Sequence, residues 1–280
     1  MIPIDRPAAP KAVEQAVAAL RRRYPVWQAA PIGASVRGRP LWALALDQGE
    51  ETVVIAAAFH GQEWITSWVA LRLCADIAKA WEEDRPLAGL NVRRAAKGRR
   101  LAVVPQVNPD GVALALEGAV GWQANARGVD LNHNYPAGWE SLRAMEKAAG
   151  ITGPSARQWG GPCPASEPET KAMMHLCRRL KPRHVVALHT QGEEIYWQYG
   201  PRTPERSRLM AQVMADASGY RVAAPAGLAS HGGFKDWFIE QTGRPGFTLE
   251  MGKGVNPLPL SGFEGLYRKA MEMLLLAAFM

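Results

Sequence analysis

The sequence predicts one α/β domain, a mixed sheet buried between helices on both faces. Three observations carry this. Short β-rich runs alternate with longer helix-periodic segments along the whole chain, and neither a repeat nor a linker divides them. The chain has 280 residues, 48% hydrophobic and 21% charged, which suits one large α/β core and no disordered segment. His60, His189 and Glu250 all stand at or near the ends of predicted strands, where ligand sites of open α/β sheets gather.

Residues 11–23 read as a helix within an N-terminal helical lead-in, residues 1–30, and residues 1–280 as one catalytic domain. Residues 39–46 and 52–58 are short β-rich runs. Residues 63–81 carry an apolar stripe at Ile65, Val69, Leu73 and Ile77, the spacing of a helix with one buried face. Residues 101–107 read as a strand that stops at Asn108-Pro109-Asp110-Gly111, a strong turn signal. Ser166-Glu167-Pro168-Glu169 opens another helix, with Ser166 expected at the N-cap. Residues 184–189 and 247–251 are strands; residues 204–217 and 262–276 are helical.

Composition narrows the function classes. The first residues lack a basic end followed by an apolar run and a cleavage site, so a cytoplasmic location is expected. The apolar stretch 273–280 is far too short to span a bilayer, and no membrane partner is expected. Cys74, Cys163 and Cys177 form neither a zinc-finger pattern nor a disulfide framework. The net charge of +7 is scattered over residues 21–23, 93–100 and 178–183 with no RNA- or DNA-binding signature, so these runs read as solvated faces and no nucleic-acid partner is expected. Nothing in the sequence bears on oligomeric state.

The chemistry concentrates in His60-Gly61-Gln62-Glu63, at a strand-to-helix junction. A three-residue offset across that bend lets the imidazole and the carboxylate point to one centre. A third ligand from elsewhere completes a zinc site with one open position, and His189 is the obvious choice. HxxE alone is a weak signal. Joined to a distant strand-end His and a late strand-borne Glu, it is a strong one. His184 lies on the opposite strand face from His189; it and His175 read as structural, and His231 as a surface residue.

The pieces SVRGRPLWALAL, HGQEWIT, NPDG, NARGVDLNHNYP, SEPET, ALHTQGEEIYWQYG, SHGGFKDW and FTLEMGKG, in that order, resemble the zinc carboxypeptidase family. The resemblance runs from about residue 35 to near the C-terminus. SEPET and GVDLNHNYP look closest to bacterial cell-wall peptidases of the family, and HTQGEEIYW resembles its γ-D-glutamyl-diamino acid endopeptidases. It implies a mixed eight-stranded sheet flanked by helices, one zinc per chain held by His60, Glu63 and His189, Glu250 as general base, and Asn132 on a substrate carboxylate.

The departures bear on substrate. The family's digestive enzymes carry arginine just before the zinc-ligand glutamate, where Gln62 stands. Their oxyanion-stabilising arginine matches Gln123, with Arg127 close in sequence, and their carboxylate-forking arginine matches His133. By the same resemblance Lys235, in Gly232-Gly233-Phe234-Lys235, falls where the family places the base of the pocket for the residue after the cut. An ammonium there attracts a carboxylate. Diaminopimelate offers one at its far end, and an amine that Glu193 or Glu194 can take. The expected substrate is therefore an acidic cell-wall peptide cut between γ-D-glutamate and meso-diaminopimelate. A general metallocarboxypeptidase, a hydrolase of N-acyl amino acids and a catalytically weak peptide-binding relative are the alternatives.

Overall fold

The computed structural model describes residue 2 and residues 4–280. Among these, eight strands form one mixed sheet: β1 (Trp27–Ala34), β2 (Pro40–Asp47), β3 (Glu51–Ala57), β4 (Arg99–Val104), β5 (His184–His189), β6 (Glu194–Tyr196), β7 (Arg221–Ala223) and β8 (Gly246–Glu250). Their order is β1-β2-β4-β3-β5-β8-β6-β7. The middle four, β4-β3-β5-β8, are mutually parallel, and β1, β2 and β6 join through antiparallel pairings. The parallel centre is built from apolar runs such as Val53–Ala57 and Val185–Leu188, because a strand covered on both faces must be apolar on both.

Helices α1 (Pro10–Arg23), α2 (Ile65–Glu83), α3 (Val92–Ala96), α4 (Pro109–Leu116), α5 (Trp139–Ala148), α6 (Pro168–Leu180), α7 (Arg206–Ser218), α8 (Phe234–Thr242) and α9 (Phe263–Phe279) follow in chain order. Val17, Leu73 and Leu274 of α1, α2 and α9 pack with Val53, Ile55, Val186 and Leu188 on one face. Met173, Leu176, Phe234 and Phe238 of α6 and α8 pack with Val54, Ala56, Val185 and Ala187 on the other. The stripe Ile65, Val69, Leu73 and Ile77 is fully inside. His184 Nε2–H donates to Ala277 O of α9, 2.6 Å away, on the face opposite His189.

The sequence expectations need correction at four places. The lead-in is helical only to Arg23; Trp27–Ala34 is the edge strand β1, held by its pairing to β2 rather than by any apolar alternation of its own. Asn108-Pro109-Asp110-Gly111 does not stop at a turn. Asn108 caps α4, its side chain accepting from Gly111 N at 2.8 Å, with Pro109 in the first turn. The strand before it ends at Val104. Ser166 is not the cap of α6, which begins at Pro168 after Glu167; the Ser166 hydroxyl donates to Glu167 instead. Cys74 and Cys177 are buried and Cys163 is exposed. Among the described residues no helix is long and apolar enough to cross a membrane.

Candidate metal centre and active site

Strand order decides what meets. β3, β5 and β8 are neighbours, and their carboxyl ends are in step: Ala57 pairs with Leu188, and His189 with Glu250. His60 follows β3 by three residues, and the chain then turns through a 3-10 segment, Gly61–Glu63, into α2. Gly61 is required there by space, since a Cβ would stand 2.2 Å from Gly111 O. Gly61 N and Gln62 N donate to Gln123 O (3.0 Å) and Trp122 O (2.8 Å), which fixes the turn against the 122–123 segment.

The result is a compact donor set. One ligand atom from each of His60, Glu63 and His189 lies within 4.8 Å of the others. His60 Nδ1 is 2.8 Å from Glu63 Oε1, and His189 Nδ1 is 3.0 Å from Glu63 Oε2, which also accepts from Thr190 N at 3.2 Å. Behind His60, Nε2 is 3.1 Å from Asp130 Oδ1. Asp130 is itself held by Asn132 N (3.0 Å) and Gln158 N (2.9 Å). With Nε2–H given to Asp130, Nδ1 faces a carboxylate oxygen, and the pair is satisfied only when a proton or a metal cation lies between them. Two imidazoles, one carboxylate and a second carboxylate orienting an imidazole from behind are a fitting set for zinc. The ring of Phe59 stacks on His189 with centroids 5.3 Å apart and excludes water from that side.

The electrostatics point the same way. Burial pushes the His60 imidazolium down, but Glu63 and Asp130 more than offset it and hold its pKa well above the usual value. Burial raises Glu63, and His60 and His189 outweigh that and lower it. Glu250 goes the other way. Burial, and then the charge of Glu63, push its carboxyl well above the usual range.

The remaining predicted residues divide. Asn132 is half-buried and accepts from Phe234 N at 3.2 Å, which ties the 130–134 segment to the start of α8. His133 is buried, its Nδ1 3.1 Å from Glu146 Oε1 and 3.0 Å from Gln158 O. Burial disfavours its cation, but Asp130 and Glu146 outweigh burial and raise its pKa. Gln123 stands one hydrogen bond from the residue after His60. Arg127 is exposed, 3.6 Å from Glu167, and among the described residues no ion pair joins it to the His-Glu-His cluster. Glu194 is paired in register with Glu250; its carboxylate accepts from Tyr196 Oη at 2.6 Å and from Arg221. Glu193 is held elsewhere, between Lys269 (2.6 Å) and Lys253 (3.1 Å), so a substrate amine there would have to displace two ammonium groups. Lys235 is only 3% exposed, donating to Gln198 O at 3.0 Å and to Asp236.

Two residues that matter here escaped the sequence reading. Asp130 stands in the same GVDLNHNYP run as Asn132, and its signal was an acidic residue two before it. Glu146 carried none, because it reads as an ordinary polar position of a helix; only the tertiary structure buries it completely against His133 and Gly160 N (2.9 Å).

A family model described as zinc carboxypeptidase matches residues 13–273. Gamma-D-glutamyl-L-diamino acid endopeptidase 1 of Lysinibacillus sphaericus is 35% identical over 281 residues, covering 93% of this chain and 69% of that protein. Murein peptide amidase A of Escherichia coli K12 is 31% identical over 216 residues, covering 73% and 74%. In structure, bovine thrombin-activatable fibrinolysis inhibitor superposes with a TM-score of 0.82 at 20% identity, over 98% of this chain and 97% of that one, a likeness of fold.

Proposed function

The chain belongs to the zinc carboxypeptidase family and is a zinc metallopeptidase, and on that premise we propose that it cuts the bond between γ-D-glutamate and meso-diaminopimelate in bacterial cell-wall peptides. His60, Glu63 and His189 would hold the metal in this reading, and zinc there would supply a Lewis acid that makes an attacking water more acidic. Glu250 accepts the proton of the attacking water and passes it to the leaving amine. The burial and the neighbouring Glu63 that raise its pKa suit a base that must also act as an acid near neutral pH. His133, whose pKa Asp130 and Glu146 raise against burial, binds a substrate carboxylate beside Asn132 in place of an arginine fork. Gln123 offers a neutral amide to the developing oxyanion.

Lys235 is the observation that carries the substrate reading. A buried ammonium has three donors, and Gln198 O and Asp236 take two. The third is left for the distal carboxylate of diaminopimelate, and Glu194 is the acidic group beside Glu250 for its amine. The two bacterial relatives, named for γ-D-glutamyl-diamino acid and murein peptide cleavage, support the same substrate class. The test compares γ-D-glutamyl-diaminopimelate with its lysine analogue, which lacks only the distal carboxylate. Wild type is expected to prefer the former by about ten- to a hundredfold, the scale of one charge-assisted contact, and Lys235→Ala to lose most of that preference. Equal cleavage of both by wild type removes Lys235 from the pocket.

A further inference from the structure

A γ-linked glutamate differs from an ordinary one in leaving its α-carboxylate free, on the acyl side of the bond to be cut. None of the residues assigned so far meets it: His133, Asn132 and Lys235 serve the leaving side, and Gln62 and Gln123 are neutral. We propose that Arg157 binds this α-carboxylate and so selects γ-linked over α-linked peptides, an inference that rests on the peptidase reading above.

Three observations place it. First, the backbone around Arg157 is clamped to the catalytic segments on both sides. Ala156 O accepts from Gln123 N (2.8 Å) and Ala124 N (3.0 Å), and Gln158 N donates to Asp130 Oδ2 (2.9 Å), whose other oxygen holds His60. Arg157 is thus the residue between the contact to the oxyanion segment and the contact to the metal ligand's partner. Second, its guanidinium lies over Gly121. A Cβ there would stand 2.8 Å from Arg157 Nη2 and 4.0 Å from Gln62 Oε1, so arginine, glycine and the residue before Glu63 share one small space. Gly121 has φ +70°, so glycine serves both the left-handed turn and the close approach. Third, among the described residues the guanidinium forms no ion pair, while Arg127 leans on Glu167. A planar fork of five donors, fixed at the base and open to solvent at the tip, matches a carboxylate bidentately. Gln62 Oε1 is the other side-chain atom that borders the same space over Gly121.

The experiment uses zinc-loaded protein and three peptides: γ-D-glutamyl-diaminopimelate with a free α-carboxylate, the same peptide with that carboxylate amidated, and an α-linked L-alanyl analogue. Wild type is expected to favour the free acid over the amide by about ten- to a hundredfold in kcat/KM. Arg157→Ala should lose that preference, falling about ten- to a hundredfold on the free acid and far less on the amide, and Arg157→Lys should keep part of it. Calorimetric binding of the two γ-linked peptides to Glu250→Gln, with and without Arg157→Ala, reads the same contact without turnover. Equal cleavage of acid and amide by wild type overturns the role of Arg157 and leaves the γ-D-glutamyl reading standing. Cleavage of the alanyl peptide with neither γ-linked peptide cut overturns both.

Discussion

Asp130→Asn separates metal positioning from folding. The Asp130 carboxylate accepts from His60 Nε2 (3.1 Å), Asn132 N (3.0 Å) and Gln158 N (2.9 Å), and it is 1% exposed. An asparagine has one oxygen where the aspartate has two. If that oxygen stays on His60 and Asn132 N, the new NH2 faces Gln158 N–H, donor to donor; if it flips, His60 and Asn132 lose their acceptor. One buried donor is orphaned at least, which costs about 1–3 kcal/mol of stability. Removing the negative charge from behind the imidazole also lowers its basicity and frees its orientation, and second-partner changes of this kind reduce metal affinity about ten- to a hundredfold. Zinc affinity is measured by competition with a chromogenic chelator, and stability by the thermal midpoint of the zinc-free protein. Both are expected to fall. A variant that loses stability but binds zinc within twofold of wild type would refute the argument that Asp130 orients His60. Asp130→Ala is the weaker test, since three orphaned donors, roughly 3–9 kcal/mol, approach the stability of the whole domain.

Two further outcomes are expected. Glu250→Gln should retain zinc and the wild-type thermal midpoint yet lose at least about a hundredfold in kcat, the scale of a general base, and normal turnover would show that another group takes the proton. His184 is buried against Ala277 O, and burial lowers its pKa from 6.5 to about 4. The unfolded chain therefore binds a proton that the folded chain refuses, so its contribution to stability is complete above pH 6.5 and is lost as pH falls from there toward 4. The loss is on the order of 3 kcal/mol. His184→Gln in the zinc-free protein should flatten the pH dependence of the thermal midpoint across that window relative to wild type, and parallel curves would assign the acid sensitivity elsewhere.

The amino-acid sequence by itself determined the α/β class and most of the central elements. The runs at Val53–Ala57 and Val185–Leu188 are apolar on both faces, and the stripe from Ile65 to Ile77 has only one way to be buried. It also determined the spacing of His60 and Glu63, because a strand-to-turn junction is local chemistry. The outer strands were not legible. β1, β6 and β7 are short or half-exposed, and they are strands because neighbours supply their hydrogen bonds. Pairwise placement was not legible either. Glu193 and Glu194 are adjacent in the chain, yet the pairing of β6 to β8 sets Glu194 beside Glu250, and Lys253 and Lys269 capture Glu193. Long-range contacts also decided which polar side chains back the site: Glu146, an unremarkable helix position, is buried against His133, and Arg157 is carried to Gly121 and Gln62 by backbone hydrogen bonds from its two neighbours. Such partners lie tens of residues apart, and only the close packing of the folded chain brings their few ångströms of reach into play.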